Sequence, residues 1–359
     1  MATTVSAKQC RALFVHKAVF ALLLSLAAVS ASAQGVAVHG WIDGYSAWND
    51  ERPDSRLNFF DGVGTTAHRS NQLALNVAAL EFVREPKPFG FHVVLVTGDS
   101  TDIVHMFENH PNDRLIRNVF QASVTYTAPI GRGLGLEAGI YPTQMMDTFF
   151  SKDNWHYTRG WLGELAPYYE TGVKASYAWS DRWSGQLHVM RGWGRIEDNN
   201  SALSYGTQIK YDVKRWSVLL NTFVGPELPD DNVHLRKFGD LMFMFYPTPK
   251  LAVGSSIDRG RQEMGDDMPA ANWLGVSAYG RYAFDDRHAF AVRAERFRDP
   301  DGMASGFVQT LTEGTMTYEL RPTRHFIFKL EGRRDHSTAP MFNGSRNQTL
   351  AIASGVAVF

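Results

Sequence analysis

Cysteine is almost missing from this sequence. The one cysteine among its 359 residues is Cys10, and it falls in an opening stretch that reads as an export signal. Lys8, Arg11 and Lys17 make a basic region, an apolar run extends from Ala18 to Val29, and Ala31-Ser32-Ala33 supplies the small residues that signal peptidase requires. The run is too short to span a bilayer. Cleavage is therefore expected after residue 33, so that residues 1–33 are the signal and residues 34–359 a single domain. Removing 33 of the 359 residues leaves 326, none of them cysteine. Disulfides, thiolate zinc sites and a cysteine nucleophile are excluded, and the chain can cross an oxidising periplasm without mispairing.

Long apolar runs are also missing. Beyond the signal no stretch approaches the ~20 residues that a helical span requires. Charge of one sign is scarce as well. Taking three basic residues from 36 leaves 33 against 37 acidic ones, a net charge of about −4 scattered along the chain with no basic tract to hold nucleic acid.

What is present is alternation. From Leu203 to Val213, the residues Leu203, Tyr205, Thr207, Ile209, Tyr211 and Val213 alternate with Ser204, Gly206, Gln208, Lys210 and Asp212. A period of two is the signature of a strand with one apolar and one polar face. The same split runs from Tyr168 to Trp179, and Phe120, Ala122, Val124 and Tyr126 oppose Gln121, Ser123 and Thr125. Soluble sandwiches alternate too. Aromatic residues make up 13% of the chain, and many lie near strand ends: Trp48, Tyr126, Tyr141, Trp179, Trp183, Trp193, Trp216, Tyr246 and Trp273. That is where the interfacial rings of a membrane barrel belong.

Sixteen strands are expected, at about 35–48, 71–84, 89–98, 118–128, 133–141, 166–179, 182–195, 201–213, 215–226, 236–246, 249–260, 272–284, 286–298, 306–320, 323–335 and 345–359, with fourteen as the alternative count. Connections after even-numbered strands are short, such as Ser180-Asp181, Lys214 and Pro247-Thr248. Those after odd-numbered strands include the long stretches 49–70, 99–117 and 142–165. This asymmetry is that of an outer-membrane barrel with short periplasmic turns and long external loops. The last strand ends on Phe359, a terminal aromatic of the kind read by the barrel assembly machinery. Its bulkier residues, Leu350, Ile352, Val356 and Val358, lie on the face opposite Phe359, so either face of this strand could meet lipid.

Several segments resemble the OmpL-like β-barrel porin family of Gram-negative outer membranes. They are Gly40-Trp41-Ile42-Asp43-Gly44-Tyr45, Phe89-Gly90-Phe91, Asp153-Asn154-Trp155-His156-Tyr157-Thr158-Arg159, Pro167-Tyr168-Tyr169-Glu170-Thr171-Gly172-Val173 and Glu331-Gly332-Arg333-Arg334-Asp335-His336-Ser337. The resemblance covers most of residues 34–359 and implies an outer-membrane channel that carries small solutes or ions, with outer-membrane lipid and lipopolysaccharide as its surroundings and no cofactor.

Strand parity sorts the charges. Facing a lumen would be Asp43, Glu137, Glu170, Asp212, Asp240, Asp258, Glu295, Glu313 and Glu331, with Lys174, Lys210, Arg281, Arg293, Lys329 and Arg333. The 142–165 loop either folds inward, where Asp153, Asn154, Tyr157 and Arg159 would form a constriction, or covers the outer mouth. No Gly-x-Ser-x-Gly elbow or His-Glu-x-x-His helix marks an enzyme. His105, Glu108 and His110 share a loop at a spacing that matches no recognised metal site, and His188 and Ser184 lie ~13 Å apart on one strand. Two other classes compete with a diffusion channel: an adhesive or structural surface protein, and an outer-membrane hydrolase.

Overall fold

The alternating segments close on themselves. In the computed structural model, which describes residues 35–106, 108, 116–145, 148–265 and 268–359, sixteen antiparallel strands form a closed barrel in sequence order. The expected signal peptide lies outside the described residues. The strands are β1 (Ala37–Asn49), β2 (Leu73–Arg84), β3 (Phe89–Thr97), β4 (Val119–Ala128), β5 (Leu134–Pro142), β6 (Tyr169–Ala178), β7 (Trp183–Met190) and β8 (Ser204–Val213). There follow β9 (Trp216–Pro226), β10 (Leu235–Thr248), β11 (Leu251–Gln262), β12 (Ala271–Ala283), β13 (His288–Asp299), β14 (Gln309–Thr323), β15 (Phe326–Ser337) and β16 (Asn347–Val358). Two short helices, α1 (Asp99–Val104) and α2 (Trp161–Glu164), sit in loops. No helix of the described residues is long and apolar enough to cross a membrane.

Closure removes the free edges that a sheet in lipid could not satisfy. β1 pairs with β16, from Trp41 opposite Val358 to Asn49 opposite Leu350. Gly40 and Phe359 exchange backbone hydrogen bonds of 2.8 and 2.9 Å. A Cβ on Gly40 would lie 2.4 Å from the Phe359 ring, so the bare glycine makes room for it.

The barrel is greasy outside and polar within. Ile209, Val173, Leu187, Ile257, Met316 and Leu330 are exposed on the outer face, whereas Asp43, Glu170, Asp240 and Asp335 are fully buried. That inversion is what lipid on one side and a hydrated or loop-filled lumen on the other require. Trp179, Trp183, Trp216 and Tyr246 stand on the outer face near the ends joined by short turns, and Trp48 near the opposite end.

Four expected outward aromatics turn inward. Tyr141 shares the parity of Glu137, lies opposite Glu170 and is buried. Trp273 is buried against Phe238, and Trp193, in the 191–203 loop, packs on Phe223 and Phe238 with ring centroids 4.9 and 5.0 Å away. Phe120 owes its inward position to a break in register: Val94 faces Gln121 while Leu95 faces Val119. The extra residue at such a bulge leaves the alternation, and Phe120 lies 4.6 and 4.8 Å from Phe149 and Phe150 of the long loop inside.

Loops 50–72 and 143–168 enter the barrel and supply its apolar core. Phe59, Phe60 and Val63 from the first pack with Tyr157, Trp161 and Leu162 from the second, and both rest on Tyr45 of β1 and Leu350 and Ile352 of β16. This settles the last strand. Leu350, Ile352 and Val356 face inward and are buried, while Ala351 and Ala353 face lipid.

Candidate functional site

A loop that enters a barrel carries its own amides and carbonyls to membrane depth, and each needs a partner. The charges of β13 and β15 supply them. Lys329 Nζ donates to the carbonyls of Ser151 at 2.6 Å and His156 at 3.2 Å, and also to that of Asn154. Arg293 Nη1 donates to Thr158 O at 2.8 Å, and Arg333 Nη1 to Arg159 O at 2.6 Å. Carboxylates take the amides. Glu331 accepts from Tyr157 N at 2.6 Å, Thr158 N at 2.9 Å and Thr158 Oγ1 at 2.5 Å, and Glu295 accepts from Leu162 N at 3.3 Å.

Close approach completes the seam. A Cβ at Gly160 would lie 2.1 Å from Glu295 Oε1, and one at Gly275 would lie 2.8 Å from Leu162. Side chains at these positions would displace Glu295 and Leu162 from the seam. On β1, Asp43 accepts from Ser151 Oγ at 2.7 Å and Tyr157 Oη at 3.1 Å. Loop 50–72 is tied in turn by Glu164 of α2, which accepts from Gly64 N at 2.8 Å and Thr65 Oγ1 at 2.6 Å.

The tethering charges also balance one another. Arg293 lies 2.8 Å from Glu313 and 3.9 Å from Glu295, Arg333 2.9 Å from Asp335 and 3.9 Å from Glu313, and Lys329 3.7 Å from Glu319. Other pairs on the wall are more open. Lys174 meets Glu137 at 2.6 Å, Lys210 meets Asp212 at 2.6 Å, and Arg281 meets Glu319 at 2.9 Å. Asp240 and Asp258 face each other in register and are hydrogen-bonded through Asn221 and Ser256. Glu170 accepts from Thr143 at the start of the loop.

Of the four loop residues singled out in the sequence, Asp153 and Asn154 line a cavity of about 180 Å³ between the loop and the wall, together with Trp155, Met242, Met244 and Tyr279. Tyr157 and Arg159 lie elsewhere, in the seam. Tyr157 is fully buried against Tyr45, and the Arg159 guanidinium sits 5.4 and 5.1 Å from the rings of Phe149 and Tyr168.

Inner-face charges that escape the sequence-based sorting include Arg236, Glu319 and Asp335. Their parity with Asp240, Glu313 and Glu331 would have found them. Met242, Met244 and Tyr279 carry no such signal, because an apolar residue on the inner face breaks the alternation that identifies it. His110 lies outside the described residues. His105 is buried beside the loop, with Nε2 3.1 Å from Val119 O and its ring 4.8 Å from that of Tyr169, and burial lowers its pKa to about 4. His188 meets Gln186 at 3.0 Å.

The comparisons with known proteins agree with this architecture. The anion-selective porin from Comamonas acidovorans superposes with a TM-score of 0.62 at 9% identity, over 90% of this chain and 99% of its own. OmpT, an outer-membrane protein of Vibrio cholerae, gives 0.60 at 9% identity over 92% and 99%. The outer-membrane channel DcaP of Acinetobacter baumannii gives 0.56 at 11% identity over 90% and 97%. At such identities the likeness is one of fold. No curated protein matches the sequence. Residues 35–359 match the family described as putative beta-barrel porin-2, OmpL-like, and the chain therefore belongs to that family of integral outer-membrane β-barrel porins.

Proposed function

We propose that small hydrophilic solutes or ions diffuse passively through this porin along the face of the lumen that the infolded loops leave uncovered. The polar ties of loops 50–72 and 143–168 to the wall lie mainly on β1 and β13 to β16, so the path runs past β6 to β12. Along it lies the cavity bounded by Asp153, Asn154 and Trp155 on the loop and by Met242, Met244 and Tyr279 on the wall. The observation that carries this reading is the anchoring of the loop. Lys329, Arg293, Arg333, Glu331 and Glu295 all bond loop backbone, which fixes a partition across a sixteen-stranded barrel wide enough to hold water.

Of the remaining lumen charges, Glu137, Glu170, Lys174, Lys210, Asp212, Asp240, Asp258 and Arg281 form the polar lining, while Asp43 and Glu313 lie under the loop. We read the site as one of passage rather than catalysis, because its ionisable groups are engaged with one another or with loop backbone. The Comamonas neighbour is anion-selective, whereas the wall here carries more acidic than basic groups and favours cations weakly. Lipopolysaccharide is the proposed lateral neighbour in the outer leaflet, and the barrel assembly machinery the proposed route of insertion.

Single-channel recording of the refolded protein in planar bilayers tests the function. Discrete conductance steps that scale with salt are expected. A folded barrel that never conducts would instead favour a structural or adhesive role.

A further inference from the structure

Three successive strands that rise toward the long loops each end in an outward pair of basic residues. β11 carries Arg259 and Arg261, β13 carries Arg296 and Arg298, and β15 carries Arg334 and His336, always within the last four residues of the strand. All six are exposed, and their inward neighbours Gly260, Phe297 and Asp335 are buried. Same-face residues two apart stand ~7 Å from each other. The descending strands set neutral polar groups in register with them, Asn272 beside Arg261, Thr310 beside Arg298, Thr312 beside Arg296 and His336, and Asn347 and Thr349 beside His336 and Arg334, together with the apolar Leu274 beside Arg259 and Arg298 and Val276 beside Arg296. Arg334 Nη1 donates to Thr349 Oγ1 at 2.9 Å, and His336 Nδ1 lies 3.0 Å from Asn347 Oδ1.

The rest of the outer surface gives this arc its meaning. Toward the membrane middle the same strands present Val253, Val292, Phe328 and Leu330. On the opposite half, β3, β7 and β9 carry Leu95, Val189 and Val224 near their corresponding ends, where the arc is basic. Among the described residues none of the six basic groups forms an ion pair. The neighbouring carboxylates are engaged elsewhere: Glu263 with Lys237 at 2.6 Å, and Asp301 with the Asn272 amide at 2.8 Å. Arginine on the lipid face of a barrel is costly at the bilayer midplane and nearly free near the interface, so these groups belong at the rim, among lipid headgroups.

We infer that this arc binds the phosphorylated glycolipid of the outer leaflet, with the planar guanidinium forks taking its phosphate groups and the Thr and Asn side chains its sugar hydroxyls. The inference rests on the reading that lipopolysaccharide is the lateral neighbour, and it assigns where on the barrel that contact lies.

The test uses the full refolded barrel in detergent, alone and as the triple variant Arg259→Gln, Arg296→Gln, Arg298→Gln. Both are titrated with purified lipopolysaccharide, with the same lipid after dephosphorylation, and with inorganic phosphate, and bound lipid is read by native mass spectrometry. Unchanged single-channel behaviour reports that the variant is folded; if it does not refold, Arg298→Gln alone serves with a smaller shift. The wild type should bind lipopolysaccharide about tenfold or more tightly than the triple variant does, since each lost charge-assisted contact weighs on an affinity where 1.4 kcal/mol is tenfold. Dephosphorylated lipid should bind the two proteins equally and weakly. Equal binding of intact lipid to both proteins overturns the placement while leaving the lipid as neighbour. A wild type that binds no lipopolysaccharide overturns both readings. Displacement of the lipid by equimolar inorganic phosphate shows a simple anion site and also rejects the proposal.

Discussion

Ile209 and Gln208 are adjacent in β8 and meet opposite surroundings. The first is exposed on the outer face, whereas Gln208 Nε2 donates to Asn221 Oδ1 at 2.9 Å inside. Ile209→Arg should therefore destabilise the barrel by ~2–4 kcal/mol while Gln208→Arg is tolerated. Urea unfolding of the two variants in lipid vesicles measures the difference, and equal losses would reject the register. A second expectation concerns His105. Burial holds its pKa at about 4 against an ordinary 6.5, so the docked histidine is neutral and undocking takes up a proton. Docking is then at full strength above pH 6.5 and weakens as pH falls toward 4, by about tenfold in the opening equilibrium per pH unit. Hydrogen exchange at the α1 amides, corrected for intrinsic rates, should show that slope, and His105→Gln should flatten it. An unchanged slope in the variant would remove His105 as the cause. Parity made Ile209 and Gln208 legible in the sequence. The burial of His105 was not, because it depends on Tyr169 and Val119, both far from it along the chain.

At the level of elements, all sixteen strands were legible, and their ends fall within a few residues of the expected ones. Strand length, turn residues and period two are local signals. The partners of the long loops are not local. Glu331 and Thr158 are separated by 173 residues, and nothing in the sequence near either announces the other. Glu331 reads as one more lumen charge, yet in the structure it holds the 143–168 loop through three bonds while Thr317 Oγ1 supplies a fourth at 2.7 Å. Glu331→Gln turns part of that acceptor set into donors facing donors, at a cost of about 3 kcal/mol or more to docking. Larger and noisier single-channel conductance is expected, with the barrel still folded on heat-modifiability gels. Conductance identical to that of the wild type would show that the loop does not depend on this anchor. The inward Phe120 shows the same limit on a smaller scale, since a one-residue bulge reverses a face without altering composition.

For the whole molecule, the decisive quantity is how the wall charges add up along the path. Parity alone gives nine acidic groups against six basic and expects neighbours on one strand, Arg293 with Glu295 and Lys329 with Glu331, to cancel. The structure cancels across strands, Arg293 with Glu313, Lys174 with Glu137 and Arg281 with Glu319, and also along them, Arg333 with Asp335 and Lys210 with Asp212. Burial withdraws Arg293, Lys329 and Arg333 from solvent, and of the acidic groups Asp43, Glu170, Asp240, Asp258, Glu295, Glu313 and Glu331. The acidic Asp212 and Asp153 stay exposed to the lumen, partly offset by Lys210 and Lys152. Counted over the whole wall, the acidic excess gives a weak cation preference. It should fade with salt, since exposed charges are screened within ~10 Å at 0.1 M and ~3 Å at 1 M. Reversal potentials across a KCl gradient should give a cation-to-anion permeability ratio above one at low salt that approaches one at high salt, and Asp153→Asn should lower the low-salt value. Clear anion selectivity at low salt would instead place Arg281 and Arg321, on the periplasmic half of the wall, in control of the path.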